Sequence, residues 1–359
     1  MNRRERLHAC YFHQQTDRPA VYSRTAYPPD DATYDPLKAY LRDHTELKGG
    51  WGPALSPWHT SHRTEPVSAE FERHITTLHT PAGDLTASSL ASRTGQPGLH
   101  ETYFIKSRED AETYLSLPPR LVSADIAAFH AAVRAMGDAG IVETHLGGLN
   151  PAGTVAELCG SENFALLSIT DRDIIEALLN FHMQEKLRIV RYLIDLGAGP
   201  YFATLGQEYI VPPLHGPVDF NDFNVRFDKP WIDLIHQAGG RIHIHSHGRI
   251  ATVLDGFMQL GADVLHPFEA PPMGDITARE AKARVRGRIT IEGNIQIADM
   301  YERTPAEIRA QTEALMADAF DDGRGLIVSA TASPYLPGEG ARCLAQYRAM
   351  VETVLAWKP

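Results

Sequence analysis

The sequence has few cysteines and a shortage of positive charge. Its three cysteines, Cys10, Cys159 and Cys343, lie far apart and without CxxC spacing. At least one of them therefore lacks an internal disulfide partner, and the usual thiolate-rich zinc pattern is absent. Lys and Arg number 34 against 45 Asp and Glu, which gives a formal net charge of -11. The clustered cations of a nucleic-acid-binding surface are missing, so we expect no nucleic-acid partner.

Long hydrophobic runs and low-complexity linkers are also missing. No run reaches the roughly 20 apolar residues of a transmembrane helix, and the opening MNRRERLHACYFHQQTDRP is charged where a signal peptide is apolar. We therefore expect no membrane partner and a cytoplasmic location. No Ser/Gly-rich or Pro-rich linker divides the chain, which favours a single domain over residues 1–359.

The sequence is rich in short apolar runs that alternate with helical segments from about residue 140 onward. This rhythm is typical of βα units around a parallel sheet. Predicted strands begin at Ile141, Tyr201, Arg241, Asp263, Arg288 and Gly325, with a weaker first strand at Val21. Predicted helices span about 171–196, 229–237, 250–260, 278–285, 305–319 and 340–356. Seven visible strands approach the eight of a closed barrel, so we predict an α/β fold of the (β/α)8 TIM type.

The segment from about 27 to 118 departs from this rhythm. Residues 72–90, ERHITTLHTPAGDLTASSL, alternate in strand fashion about the turn-forming PAGD. We expect an antiparallel hairpin inserted after the first strand, where it could form a wall or lid over the barrel mouth.

Polar side chains collect at the predicted carboxyl ends of the strands, where the active sites of TIM barrels lie. They are His145, Gln207, Glu208, His245, His247, His266, Glu269, Glu292 and Asn294. The candidate acids and bases are Glu292, His266 and Glu269. The candidate substrate contacts are His145, Gln207, Asn294 and Tyr335, the last in the turn that follows the final predicted strand. Glu269 and Glu292 have an equally weighted alternative, which is to cap helices or pair with Arg241 or Arg249.

The run RIHIHSHG places three histidines on one face of a strand, because strand side chains alternate. His243 lies deepest and is interpreted as structural. His245 and His247, together with Glu208 from the preceding strand, offer two nitrogens and one oxygen to a catalytic zinc ion with an open position. The alternatives are pocket lining without a metal and a purely structural role.

The order of these motifs resembles that of the uroporphyrinogen decarboxylase-like superfamily. The opening NRRERLHACYFHQQTDRPAVY and the segment FIKSREDAETYLSLP, from Phe104, are similar to the family's first helix and strand and to a later helix entry. The strongest match runs from WIDLIHQAGGRIHIHSHGRI through LGADVLHPFE and ITIEGNIQ to LIVSATASPY. The resemblance implies one barrel with two known chemistries: metal-free decarboxylation of a tetrapyrrole, and zinc-dependent methyl transfer to or from a corrinoid.

Departures from the family patterns bear on the choice between them. The decarboxylases carry an arginine- and glycine-rich loop after the first strand, whereas Arg24 is followed here by TAYPPDD, which suits a polyanionic tetrapyrrole poorly. The thiol methyltransferases carry a His-x-Cys pair and a later cysteine. His245 matches the histidine, His247 stands at the first cysteine, and Ala332 or a near neighbour replaces the second. The remaining imidazole and carboxylate ligands are similar in character to those of corrinoid-linked O-demethylases.

The resemblance therefore implies a zinc-assisted methyltransferase that demethylates a small methoxylated or methylated substrate and passes the methyl group to a corrinoid on a separate partner protein. Glu208, His245 and His247 would hold zinc, and Glu292 or His266 would protonate the leaving oxygen. Two alternatives stay open: a metal-free decarboxylase of a small carboxylate or tetrapyrrole, and a non-catalytic ligand-binding barrel. A homodimer is also open, since enzymes of this size often form symmetric dimers.

Overall fold

The computed structural model describes residues 1–95 and 97–358. Its strands are β1 (Ala20–Val21), β2 (Leu47–Trp51), β3 (Ala54–Leu55), β4 (Thr60–Pro66), β5 (Phe71–Thr80), β6 (Gly83–Ser92), β7 (Leu99–Thr102), β8 (Val122–Ser123), β9 (Gly140–His145), β10 (Tyr201–Leu205), β11 (Arg241–His245), β12 (Val264–His266), β13 (Thr290–Ile295) and β14 (Leu326–Ala330). Eight of these described strands form one parallel sheet in the order β1-β14-β13-β12-β11-β10-β9-β2. All seven predicted strands are members of this sheet.

The large sheet curls until its two end strands approach each other. The Val21 N–H in β1 donates to Glu46 Oε2 at 2.7 Å, and the Glu46 N–H, just before β2, donates to the Val21 carbonyl at 3.0 Å. Arg6 and Arg18 pair with the buried Glu46 carboxylate at 2.6 and 2.9 Å, which offsets the cost of burying it. The chain thus has an α/β fold with a large, curled parallel sheet, consistent with a TIM-type barrel.

Helices follow most of the sheet strands and cover the outside of the sheet. They are α1 (Arg3–Tyr11), α2 (Asp35–His44), α3 (Arg108–Leu115), α4 (Ile126–Met136), α5 (Pro151–Cys159), α6 (Ser161–Thr170), α7 (Arg172–Asp195), α8 (Pro217–Asp219), α9 (Arg226–Gln237), α10 (Leu254–Leu260), α11 (Ala278–Val285), α12 (Asp299–Glu302), α13 (Pro305–Ala319) and α14 (Gly340–Leu355). A π-helical segment, Phe220–Val225, leads into α9. The bounds of α11 and α13 agree with the predicted ones because each helix begins with a Thr/Glu capping box, a start signal that is legible in sequence.

Strand β2 lies inside the segment that was predicted to be an insertion. Its sequence, LKGGW, contains two glycines and no β-branched residue, so it has little strand signal. The structure nevertheless pairs it in parallel with β9, from Leu47 opposite Gly140 to Trp51 opposite Thr144. The segment that departs from the barrel rhythm therefore follows the second strand of the large sheet and not the first.

That segment forms a four-stranded antiparallel sheet in the order β4-β5-β6-β7. Strands β5 and β6 pair from Phe71 opposite Ser92 to Thr80 opposite Gly83, so they turn at the predicted PAGD. Leu78 and Leu85 are buried in one apolar cluster with residues of α3, α5 and α7, which attaches the small sheet to the helices. A lid or wall role for it stays a prediction.

The main core lies between the large sheet and its helices. Ile242 and Ile244 of β11 are buried there against Trp231 and Ile235 of α9. Alternation in β11 therefore directs His243 and His245 to the inside of the curl, as the sequence pattern predicted. Among the helices formed by the described residues, none combines the length and apolar character that a membrane span requires.

Candidate active site

A cavity of about 220 Å³ opens inside the curled sheet, at the carboxyl ends of its strands. Strands β2, β9, β10 and β11 contribute to its wall, together with the loops that follow β1 and β14. The lining side chains that carry polar or ionisable groups are Tyr22, Arg24, Thr25, Lys48, Glu143, His145, Thr204, His243, His245 and Ser333. The site thus lies where strand-end residues were expected to meet.

Arg24 is a charged group on the cavity wall, where a bound ligand would meet it. Its Nη1 lies 3.0 Å from His245 Nδ1, and it forms no salt bridge with any carboxylate in the described part of the chain. Guanidinium groups are always charged and can only donate hydrogen bonds. A guanidinium without a carboxylate partner on a cavity wall can donate hydrogen bonds to an anion.

His245 Nδ1 lies within hydrogen-bond distance of both Arg24 and His266. Its Nδ1 lies 2.8 Å from His266 Nδ1, and His266 Nε2 lies 3.2 Å from the carbonyl of Ala330. Because a carbonyl only accepts, His266 donates through Nε2, and as a neutral ring it accepts at Nδ1. His245 must then donate through the same nitrogen that Arg24 approaches, which leaves the Arg24 donor without a matching acceptor. Burial, followed by the charge of Arg24, lowers the pKa of His245 to about 3, so the ring is neutral.

Below these residues lies a buried ionic group that we call the floor cluster: Tyr11, Lys48, Glu143, His243 and Glu292. Lys48 Nζ donates to Glu292 Oε2 and lies 3.8 Å from Glu143 Oε1, and Tyr11 OH donates to Glu143. His243 lies between the carboxylates, with Nδ1 3.4 Å from Glu143 and Nε2 3.8 Å from Glu292.

Burial dominates the electrostatics of the floor cluster. It raises the pKa of Glu292, although Lys48 opposes the rise, and it lowers the pKa of His243 well below its usual range. His243 Nε2 and Glu292 Oε1 are both buried without a hydrogen-bond partner among the described residues. His243, interpreted from sequence as structural, therefore lines the cavity and carries an unused ring nitrogen.

The predicted acids and bases lie behind the cavity wall or at its rim. Glu292 and His266 are fully buried and meet the cavity only through Lys48 and His245. Glu269 Oε1 lies 3.2 Å from His247 Nδ1, and its Oε2 accepts from the Gly248 N–H at 2.8 Å. Burial alone would raise the pKa of Glu269, but these two hydrogen bonds lower it.

The three expected zinc ligands do not form a metal-binding group in the described part of the chain, although the rings of His245 and His247 lie 4.7 Å apart. His245 Nδ1 contacts Arg24 and His266, His247 Nδ1 contacts Glu269, and Glu208 Oε2 accepts from the Gly206 N–H at 3.0 Å. Within residues 1–95 and 97–358 there is no group of three or more His, Cys, Asp or Glu side chains that could hold a metal ion. Arg24 also places a permanent positive charge beside His245, where a dication would be repelled. These residues do not fit a zinc site, and zinc stays a prediction.

Three predicted substrate contacts fall outside the described cavity lining. Gln207 is fully buried and belongs to what we call the outer network, which comprises Asn150, Gln207, Asn224 and Asp228. Gln207 and Asn150 each donate to Asp228 Oδ2 at 2.8 Å, so the Gln207 amide turns away from the cavity. Tyr335 packs edge-on against Tyr301 at 5.9 Å and is 52% exposed. Asn294, at the end of β13, is likewise not among the described lining residues.

Gly206 allows the chain to turn away from the direction of β10 directly after that strand ends. Its φ is +113, and a Cβ there would lie 2.6 Å from Asn150 Oδ1. Only glycine fits this left-handed turn at such a close approach. The turn directs Gln207 and Glu208 into a short 3-10 helix beyond β10, away from the strand-end position that sequence assigned to them.

Lys48 and Glu143 are two of the cavity residues that sequence reasoning did not assign to the site. Lys48 lies on the unrecognised strand β2, and Glu143 lies two residues before the end of β9, deeper than the strand-end positions considered. Alternation was the available signal: Glu143 and His145 share one face, as Lys48 and Gly50 do. His145, a predicted substrate contact, also lines the cavity, and its contact with a substrate stays a prediction.

The fold and the site together define an α/β protein with a curled parallel sheet, consistent with a TIM-type barrel, and a polar cavity at the strand ends. Residues 106–353 match the family model described as uroporphyrinogen decarboxylase (URO-D), which covers more than half of the chain. The chain belongs to the uroporphyrinogen decarboxylase family.

Solved structures share this fold at low sequence identity. A methyltransferase from Methanosarcina mazei aligns with a TM-score of 0.60 and 13% identity, and the alignment covers 98% of each chain. At this identity the likeness shows the fold alone. A B12-independent methionine synthase from Shewanella sp. W3-18-1, in complex with selenomethionine, aligns with a TM-score of 0.45 and 12% identity over 67% of this chain and 70% of that chain. No curated protein matches the sequence.

Proposed function

We propose that this protein is a metal-free decarboxylase of a small carboxylate. The observation that carries the proposal is the unpaired Arg24 guanidinium on the cavity wall. Arginine holds carboxylates through paired N–H donors. The cavity volume of about 220 Å³ is below the roughly 300–1,000 Å³ of pockets for drug-sized ligands, which favours a substrate smaller than a tetrapyrrole.

The reaction replaces a carboxyl group by hydrogen. The bond to the carboxyl carbon breaks, its electron pair stays on the substrate, CO2 leaves, and one proton restores the neutral carbon. Fixed positive charge stabilises the negative charge that develops, because the cavity does not have to reorganise during the reaction. Arg24 supplies that charge, because Lys48 is already paired with Glu292. The best substrate therefore carries a second electron-withdrawing group, such as another carboxylate or a carbonyl, next to the carbon that loses CO2.

Methyl transfer is the second candidate. The fold shared with a methyltransferase over 98% of both chains favours it, as does His247 at the rim, which is 41% exposed and oriented by Glu269. The substrate would be a small methoxylated or methylated carboxylate, and a corrinoid on a separate protein would accept the methyl group. His247 would then deliver a proton to the leaving oxygen. We rank this reaction second because the expected zinc ligands do not converge.

The test is turnover of two substrate panels before and after exhaustive chelation, with metal analysis of the same preparation. One panel contains carboxyl-labelled di- and ketocarboxylates and is assayed for labelled CO2. The other contains methoxylated and methylated carboxylates and is assayed for methylated cob(I)alamin. We expect chelation-resistant CO2 release, and we expect Arg24→Gln to lower kcat/KM by about 10- to 100-fold through the loss of a charged hydrogen bond. Arg42→Gln, on the exposed surface of α2, is the matched control.

Other outcomes overturn the proposal in distinct ways. Methyl transfer that is lost when chelation removes a stoichiometric zinc ion would establish the zinc methyltransferase. Tight binding of a carboxylate without turnover in either panel would establish a ligand-binding barrel.

A further inference from the structure

His145 differs from the other imidazoles of the cavity because its ring is free. It ends β9, lines the cavity and is exposed, whereas His243 and His266 are buried. Its ring nitrogens have no hydrogen-bond or ion-pair partner in the described part of the chain, while His245 is held by its hydrogen bond with His266. A free imidazole can reach a bound ligand without breaking an existing contact.

The ring rests on a glycine of the neighbouring strand. A Cβ at Gly50 would lie 2.8 Å from His145 Nε2 and 3.0 Å from its Cδ2, closer than side-chain carbons approach. Gly50 has no positive φ, so space for the imidazole is what requires glycine there. Gly49 faces the other way, and a Cβ there would meet the end of the flexible Met136 side chain at 3.0 Å. Strand β2 thus leaves a space at Gly50 that fits the imidazole of His145.

The other ionisable groups of the cavity are committed elsewhere. Lys48 is bound to Glu292, and Glu143 accepts from Tyr11. The ring of Tyr22 is buried, and burial raises the pKa of its hydroxyl far above the usual range. His145 is therefore the cavity group best placed to exchange protons with both solvent and substrate.

We infer that His145 is the catalytic acid that protonates the substrate carbon, an inference that rests on the proposed decarboxylation. As the bond to the carboxyl carbon breaks and CO2 leaves, its electron pair takes the proton from the His145 imidazolium and forms the new C–H bond. The neutral imidazole then regains a proton from water. The space at Gly50 lets the ring lie next to the substrate while Arg24 holds a carboxylate.

The first experiment tests contact with a ligand and needs no turnover. Diethyl pyrocarbonate modification is followed at each histidine by peptide mass spectrometry, with and without malonate as the probe carboxylate. We expect malonate to slow modification of His145 several-fold, to leave the exposed His130 on α4 unaffected, and to lose its effect in Arg24→Gln. Equal modification of His145 with and without malonate would overturn the inference.

The second experiment uses the carboxylate that the substrate screen identifies. We expect His145→Gln to lower kcat by about 10²- to 10⁴-fold with little change in KM, the usual contribution of a general acid. His145→Ala should regain activity when free imidazole is added, which a purely structural role would not produce. Gly50→Ala should lose far more activity than Gly49→Ala, and His130→Gln should behave as wild type.

The two proposals fail in different ways. If His145→Ala keeps full activity on a decarboxylated substrate, the acid is another group although the reaction is correct. If malonate protects His145 but no carboxylate is decarboxylated, the binding geometry is correct and both the reaction and the acid role are overturned.

Discussion

The floor cluster and the outer network are both groups of buried polar side chains, yet they differ in charge and in access. The floor cluster places two carboxylates around one lysine, and its members Lys48, Glu143 and His243 line the cavity. In the outer network, two side-chain amides donate to Asp228, and none of its four members is among the described lining residues. Both groups contain atoms without partners, including Glu292 Oε1 in one and Asp228 Oδ1 in the other.

The comparison shows that burial of polar groups alone does not identify a functional site. The outer network connects the start of α5, the turn after β10, the π-helical segment and α9, so its hydrogen bonds position loops. The floor cluster holds charge next to empty space, where a ligand can use it. Variants of the two groups should therefore differ in kind as well as in size.

The largest effect is expected from Lys48→Met, which leaves two carboxylates buried without their cation. The Lys48 side chain is 2% exposed and that of Glu292 is 0% exposed. Breaking such a buried pair costs about 3–5 kcal/mol of unfolding free energy. Urea unfolding measures the loss.

Two controls sharpen this expectation. Lys229→Met breaks a half-exposed pair with Asp233, so it should cost at most ~1 kcal/mol. The double variant Lys48→Met/Glu292→Gln should recover part of the loss, because one uncompensated charge is gone. If Lys48→Met lowers the unfolding free energy no more than Lys229→Met does, the ion pairs of the floor cluster do not provide this stabilisation.

A smaller effect, visible mainly as a change with pH, is expected in the outer network. Burial raises the pKa of Asp228 to about 7, and its hydrogen bonds from Asn150 and Gln207 limit the rise. The folded state therefore keeps the proton to higher pH than the unfolded chain. The resulting stability is full below about pH 4 and is lost as pH rises to about 7, at no more than ~1.4 kcal/mol per pH unit.

Asp228→Asn should remove this dependence. Unfolding free energies of the variant, measured by urea titration across the same pH window, should fall less steeply than those of wild type, whereas Asp233→Asn should follow wild type. Parallel pH curves for wild type and Asp228→Asn would mean that Asp228 is ionised in the folded protein throughout this window.

The smallest effect is expected from Gln207→Met. It removes one donor to Asp228 and should lower the unfolding free energy by about 1 kcal/mol, with kcat and KM changed less than about twofold. Urea unfolding and steady-state enzyme kinetics, measured on the same preparation, test these two expectations. A large rise in KM at unchanged stability would restore the sequence-based prediction that Gln207 binds substrate.

How far sequence reasoning reached depended on the kind of signal. Alternation in RIHIHSHG correctly placed His243 and His245 on the inner face, and the predicted start of α11 coincides with a capping box formed by Thr277 and Glu280. Strand β2 was missed because Gly49 and Gly50 remove the β-branched side chains by which strands are recognised. Gly50, one of the two glycines that concealed the strand, also opens the space that His145 occupies.

The sequence by itself determined the repeating βα units, the inward face of β11 and the collection of polar groups at strand ends, because these follow from local periodicity. Only the tertiary structure decided which groups share the cavity. Arg24 and His245 are 221 residues apart and meet because the sheet curls, while Gln207 and Glu208 turn away because Gly206 redirects the chain. Side-chain direction at a strand end depends on the loop that follows, and local periodicity carries no information about that path.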